Sequence, residues 1–156
     1  MRVAKIISGG QTGADRGGLD AAIALGIPHG GWCPRGRLAE DGVIPDIYQM
    51  SETEAEDSAV RTERNVTDSD GTVLITFGPP TGGSLLTAEL AEQHDKPLLH
   101  LDLARLDLVG AASHLRAWLS QHDVQVLNVA GSRESKDPGL HAITKALVVA
   151  VLSAER

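Results

Sequence analysis

Apolar runs of strand length alternate along this chain with segments whose apolar residues recur at three- and four-residue spacing. Residues 3–7 open the series, residues 71–77 (GTVLITF), 97–103 (PLLHLDL) and 124–129 (VQVLNV) continue it, and residues 27–32 form a shorter fifth run. Between them Leu19, Ala22 and Ile23 mark one helix face, Leu86 and Leu90 a second, and Leu115 and Leu119 a third. In the last helix Ile143, Ala146, Leu147, Ala150 and Val151 read as one buried stripe. This alternation predicts an α/β fold: a mostly parallel central sheet of about five or more strands with helices on both faces. Residues 51–70 are rich in Glu, Asp, Arg and Thr, with only Ala55, Ala59 and Val66 spaced to make a weak apolar face, and read as a mostly solvated helix. Residues 33–48 carry neither period and hold Pro34, Gly36, Gly42 and Pro45, which predicts a long loop of the kind that serves a function.

Composition narrows the setting. A chain of 156 residues fits one domain, residues 1–156, with one core. Its 42% apolar content includes one Phe, one Tyr and two Trp, so the core is built from Leu, Val, Ile and Ala, which suits close packing of helices on a parallel sheet. A lone cysteine, Cys33, excludes an internal disulfide, and no export segment or membrane-length apolar run is visible, which predicts a cytoplasmic protein without membrane contact. A net charge of −7 argues against nucleic acid as a partner held by the overall field, while leaving room for a small anion bound locally. In the last helix Val148, Val149 and Leu152 carry apolar surface beyond the stripe, which predicts a second copy as cover and hence a homo-oligomer, a dimer or tetramer.

Three glycine-bearing loops follow apolar runs. The first, within ISGGQTGADRGGLDAA (7–22), joins the first strand to a helix that begins near Asp15, where free backbone N–H groups and the helix dipole form an anion site. Gly9, Gly10, Gln11, Thr12 and Gly13 match neither the G-x-G-x-x-G spacing nor a Gly-Lys-Ser/Thr ending, and a tight turn with Asp15 as N-cap accounts for the same residues. In the second, GPPTGGSLLTAE (78–89), Pro79 and Pro80 stop the strand, Gly82 and Gly83 free the backbone, and Thr81 or Ser84 caps the next helix. The third, AGSRESKDPG (130–139), places Ser132 and Arg133 after the last strand. In open α/β sheets ligands bind beyond the carboxyl ends of the strands, so the three loops converge on one edge.

Arginines add charge of the right sign. Arg16 lies in the first helical turn, and Arg35 and Arg37 lie in the long loop, with surface ion pairs to Glu40 or Asp41 as the plainer reading. Arg35, in a glycine- and proline-bounded segment, is expected to hold the anionic part of a ligand. Cys33 is either a small buried hydrophobe or a thiol activated beside Arg35. The six histidines show no ligand spacing, so no metal site is expected, and no catalytic residue is assigned, Glu89 being equally a solvent-facing helix residue.

The combination of ISGGQTGADRGGLDAA, GGWCPRGRLAEDG, GPPTGGSLLTAE and NVAGSRES resembles the molybdenum cofactor carrier proteins over nearly the whole chain. The resemblance implies a Rossmann-like three-layer fold and, more loosely, kinship with the Lonely-guy-type, lysine-decarboxylase-like phosphoribohydrolases and with DprA proteins. It implies a carrier that holds the molybdenum cofactor, or a similar phosphorylated pterin or nucleotide, and passes it to molybdoenzymes. The implied contacts fall on Gly9 to Gly13, Arg35, Thr81 to Ser84, Ser132 and Arg133. A nucleotide-processing phosphoribohydrolase is the alternative. Those enzymes resemble one another through P-G-G-x-G-T-x-x-E, whose glutamate stands four residues after the last glycine; here that place is Thr87, and Glu89 lies two residues further.

Overall fold

The structure, a computed structural model, describes residues 2–154. Five parallel strands form the central sheet: β1 (Lys5–Ile7), β2 (His29–Gly30), β7 (Gly71–Thr76), β8 (Leu98–Asp102) and β9 (Val126–Gly131), in the order β2-β1-β9-β7-β8. Five helices complete it: α1 (Ala14–Leu25), α2 (Ser58–Asp68), α3 (Gly82–Gln93), α4 (Leu108–Gln121) and α5 (Leu140–Ser153). Helices α1, α4 and α5 pack together against one face, and α2 packs with α3 against the other, which gives the three-layer Rossmann-like arrangement. Ile6 lies opposite Leu127, and Val73 lies between Val129 and Leu99, so these strands present one continuous apolar face to the main core, while the other face carries Leu74 beside buried Thr72, Thr76 and Asn128. The main core joins Ile6, Val73, Ile75, Leu127 and Val129 to Leu115, Leu147 and Val151.

Two of the glycines after the first strand serve packing. A Cβ on Gly18 would lie 2.6 Å from the Cβ of Val129, and one on Gly17 would lie 2.6 Å from the carbonyl oxygen of His141, so α1 approaches β9 and α5 through its glycine face.

Several elements differ from the sequence reading. Residues 27–32 split between β2 and a short β3 (Trp32–Cys33), which leaves the main sheet and pairs in parallel with β6 (Ser51–Glu52). The 33–48 loop contains a small antiparallel hairpin, β4 (Leu38–Ala39) with β5 (Gly42–Val43), because Arg37 donates to the carbonyls of Ile44, Pro45 and Tyr48 and draws the segment into a closed knot. Segment 51–70 is not one solvated helix: α2 starts only at Ser58, where Asp57 accepts from the amide of Ala59 at 2.9 Å, and it buries Thr62, Asn65 and Val66. Asn65 is paid for by two hydrogen bonds to the backbone of Trp32, at 2.8 and 2.9 Å.

The stripe on α5 is also turned. Leu140, Thr144, Leu147, Val148, Val151 and Leu152 are buried while Ala146 and Ala150 face outward, because the bulkier side chains take the inner face. Val148 and Leu152 are therefore part of this chain's own core, and the homo-oligomer expected from them loses that argument.

Candidate ligand cavity at the carboxyl ends of the strands

The first loop is folded on itself. Its donors meet internal acceptors: Gly10 N–H to Ser8 Oγ, Gln11 N–H to Asp15 Oδ2, Thr12 N–H to Gln11 Oε1, and the amide of Ala14 to the carbonyl of Ser132. Asp15 is not the N-cap of α1; Gly13 holds that position at φ 81° with no side-chain cap, and Asp15 sits in the first turn with its carboxylate turned back onto the loop. A carboxylate thus occupies the place where the sequence suggested an external anion.

The second loop is open. Thr81 holds the N-cap position of α3 without a side-chain cap, and a Cβ added to Gly83 would meet nothing within 4 Å. Beside it lies a cavity of about 490 Å³, within the range of small-ligand sites. Thr81 to Ser84 and Thr87 of α3 form one wall, and Gly131, Ser132, Arg133 and Lys136 form another. Gln11 and Asp15 form the floor toward α1, and the first turns of α2 contribute Ser58, Arg61 and Thr62. Ser132 is 3% exposed, and neither its Oγ nor the buried Nε of Arg61 has a hydrogen-bond partner among the described residues. Unpaired buried donors of this kind cost stability unless something fills the site.

The charges around the cavity are unequal. Arg61 is 16% exposed and stands 3.7 Å from Asp15 Oδ2, an ion-pair distance too long for a hydrogen bond. Burial pushes the Asp15 carboxyl up to about 6, against the pull of Arg61, the Gln11 amide, Arg16 and the Gly9 amide. A carboxyl raised in the folded state stabilises fully below its unfolded value of 3.8 and loses that contribution as pH rises through about 6. Replacing it by an amide, Asp15→Asn, is accordingly expected to change stability in a pH-dependent way. The variant gains on the parent as pH rises from about 4 to 7, by roughly 3 kcal/mol across the window. Urea unfolding at several pH values measures this, and a difference independent of pH would refute it.

Of the residues expected from the sequence, Gln11, Thr81, Gly82, Gly83, Ser84, Ser132 and Arg133 line the cavity. Gly9, Gly10, Thr12 and Gly13 support it from behind. Thr12 Oγ1 donates to the Glu40 carboxylate, which also accepts from Ser135 N–H at 3.2 Å and pairs with Arg133 at 3.3 Å. These bonds hold Glu40 below the usual carboxylate range despite the cost of burial. Arg16 is structural: its Nε donates to the Gly10 carbonyl, and its two terminal nitrogens grip Asp41 at 2.6 and 2.8 Å.

Arg35 lies outside the lining, 62% exposed and 3.4 Å from Glu56 rather than from Glu40 or Asp41. Exposed pairs contribute little, so Arg35→Ala is expected to leave melting temperature nearly unchanged and ligand affinity within about twofold of the parent. A loss beyond tenfold would return it to the site. Cys33 is fully buried with Leu19, Ile44 and Tyr48, and burial raises its thiol, so the small-hydrophobe reading holds over the activated one. Among the described residues no cluster of His, Cys, Asp or Glu could hold a metal ion.

Arg61, Lys136 and the role of Asp15 were not legible in advance. The usable signal was a polar stripe: Ser58, Arg61, Thr62 and Asn65 recur at three- and four-residue spacing beside Val66, marking an inward face that is hydrogen-bonded rather than apolar.

These features define a Rossmann-like α/β protein with a polar cavity at the carboxyl ends of its strands. The chain belongs to the Circularly permutated YpsA SLOG family, which it matches over residues 6–152. It is also similar to a protein from Syntrophus aciditrophicus SB, named "Putative molybdenum carrier protein", whose crystal structure is known. The two share 51% sequence identity over 96% of this chain and 94% of that one, with a TM-score of 0.93. No curated protein matches the sequence.

Proposed function

We propose that this protein binds and carries the molybdenum cofactor, or a closely similar phosphorylated pterin, with the phosphate end in the cavity between α3 and the segment after β9. The observation that carries this reading is the pair of unpartnered buried groups, Ser132 Oγ and Arg61 Nε, beside the open N-terminus of α3. Together they supply a hydroxyl, a guanidinium and helix-terminal amides, a donor set suited to a phosphate monoester. The name of the Syntrophus relative supports the carrier role. Delivery to molybdoenzymes in the cytoplasm belongs to the same proposal. No described helix is long and apolar enough to cross a membrane.

The hydrolase alternative is not favoured. At the place where the phosphoribohydrolases carry a glutamate, this cavity presents Thr87, whose hydroxyl donates to the Gly83 carbonyl. Glu89 is exposed and outside the lining. The acids of the long loop, Glu40 and Asp41, are held by Thr12, Ser135 and Arg16.

Mass spectrometry of what copurifies from a host that makes the cofactor tests the reading. A pterin or its oxidised fluorescent product, present in near-stoichiometric amount, is the expected result. Protein that emerges free of pterin from such a host, and fails to bind a phosphorylated pterin afterwards, would overturn it.

A further inference from the structure

Asp15 and Arg61 pose a problem that the protein's own groups around the cavity do not solve. The carboxylate is wholly buried at the floor, yet its nearest guanidinium stands 3.7 Å away and keeps a buried Nε without a partner. Arg61 is neither fully committed to Asp15 nor free of it. A Cβ on Gly9 would come within 2.7 Å of the Arg61 guanidinium carbon and 2.9 Å of Asp15 Oδ2, so the backbone closes over the pair and holds them in place.

We propose that the cavity takes up a tetrahedral oxyanion together with one proton from solvent, the proton going to the Asp15 carboxylate as the anion takes over Arg61. The proposal rests on the reading of the cavity as a phosphate seat, and adds the condition under which that seat binds. An anion reaching Ser132 and Arg61 brings a second negative charge beside a carboxylate already deprived of water, and like charges in such a space raise the cheaper acid. Asp15 is that acid, since burial has already brought it to about 6. Once protonated it keeps one oxygen to accept from the Gln11 amide, so the glycine loop is not undone.

The groups that face Asp15 bear this out as the site of uptake. From α2 comes Arg61; on its own helix Arg16 is turned away to Asp41 and the Gly10 carbonyl; the glycine loop presents the amides of Gly9 and Gln11. Across the cavity stand Arg133, tied to Glu40, and Lys136. No histidine is among the lining residues. Asp15 is thus the one carboxylic acid among the described lining residues.

Sulfate is the probe, because it keeps its two charges across the whole range. In calorimetry with buffers of different ionisation heat, sulfate affinity is expected to rise about fiftyfold from about pH 8 to about pH 5, with uptake of about 0.8 proton near pH 7 that falls away at the low end. Carbon-13 NMR of the Asp15 side chain should show its midpoint moving up with sulfate. In Asp15→Asn the pH dependence should disappear while sulfate still binds at least as well as to the parent at low pH. Should this variant fold poorly, the NMR titration of the parent decides alone. Sulfate bound without proton uptake, an unmoved Asp15 midpoint, or no sulfate binding across this range would each overturn the coupling. If pterin still copurifies in that event, the carrier reading stands and only the coupling falls.

Discussion

Arg61→Met is expected to weaken binding of a phosphorylated pterin more than any other single change in the lining, by roughly tenfold to a hundredfold. The methionine keeps most of the side-chain volume on α2, so the effect isolates the guanidinium. Charge-assisted hydrogen bonds of this type contribute on the order of 1.5–3 kcal/mol each, which converts to that range. Arg61 is poised for this use because it is mostly buried, close to but not hydrogen-bonded with Asp15, and has a buried donor unspent. Arg61→Lys should restore only part, since an ammonium lacks the planar fork. Fluorescence titration of the pterin against parent, Arg61→Met and Arg35→Ala gives the discriminating comparison. Equal affinities for all three would move the anion seat to Arg133 and Lys136.

Gly13→Ala is expected to be the most damaging small substitution for the fold, costing about 4 kcal/mol or more in urea unfolding. Gly13 adopts φ 81° and ψ −130°, a region that a residue with a Cβ enters only at a cost of roughly 1–3 kcal/mol. The added carbon would also overlap the Ser132 carbonyl oxygen and lie 2.7 Å from the Glu134 amide nitrogen, and both are backbone atoms that have no rotamer to escape into. Relief requires the segment after β9 to move away from α1, which breaks the Ala14 N–H to Ser132 carbonyl bond and carries Ser132 out of the cavity wall. The loss should therefore extend to ligand binding in whatever fraction folds. A cost under about 1 kcal/mol would mean that this loop is far softer than its hydrogen bonds indicate.

Gly13 and Arg61 also mark how far the amino-acid order alone carried the reading. The main strands were legible because a parallel sheet covered on both faces favours short apolar runs, which Val73, Leu74 and Ile75 supply in one strand and Leu98, Leu99 and Leu101 in the next. The glycine loops were legible as loops, and their convergence followed from the rule that ligands sit beyond the carboxyl ends of the strands. The family was legible from long ordered motifs, and the match over residues 6–152 agrees with it.

Which loop is open was decided only in three dimensions. Both the first and second loops are glycine-rich strand-to-helix junctions, but one closes on the Asp15 carboxylate and the other does not, a difference of side-chain direction that spacing does not encode. The arginines were sorted in the same way. Arg16, Arg35 and Arg61 are alike in sequence as cations near turns or on helices, and their fates depend on which carboxylate the fold brings within reach: Asp41, Glu56 and Asp15 respectively. Arg61 escaped notice because its helix is polar, and periodicity weighted by hydrophobicity cannot see a face buried through hydrogen bonds. On α5 the opposite error arose: nearly every residue is apolar, so the 3.6-residue period left the angle of the buried face undetermined, and packing against α1 and α4 chose Val148 and Leu152 over Ala146 and Ala150. Local pattern thus determined which segments are strands, helices and turns, because backbone periodicity and burial act over a few residues. Tertiary structure alone decided which polar groups meet, because charge pairing and desolvation depend on neighbours tens of residues away in the chain.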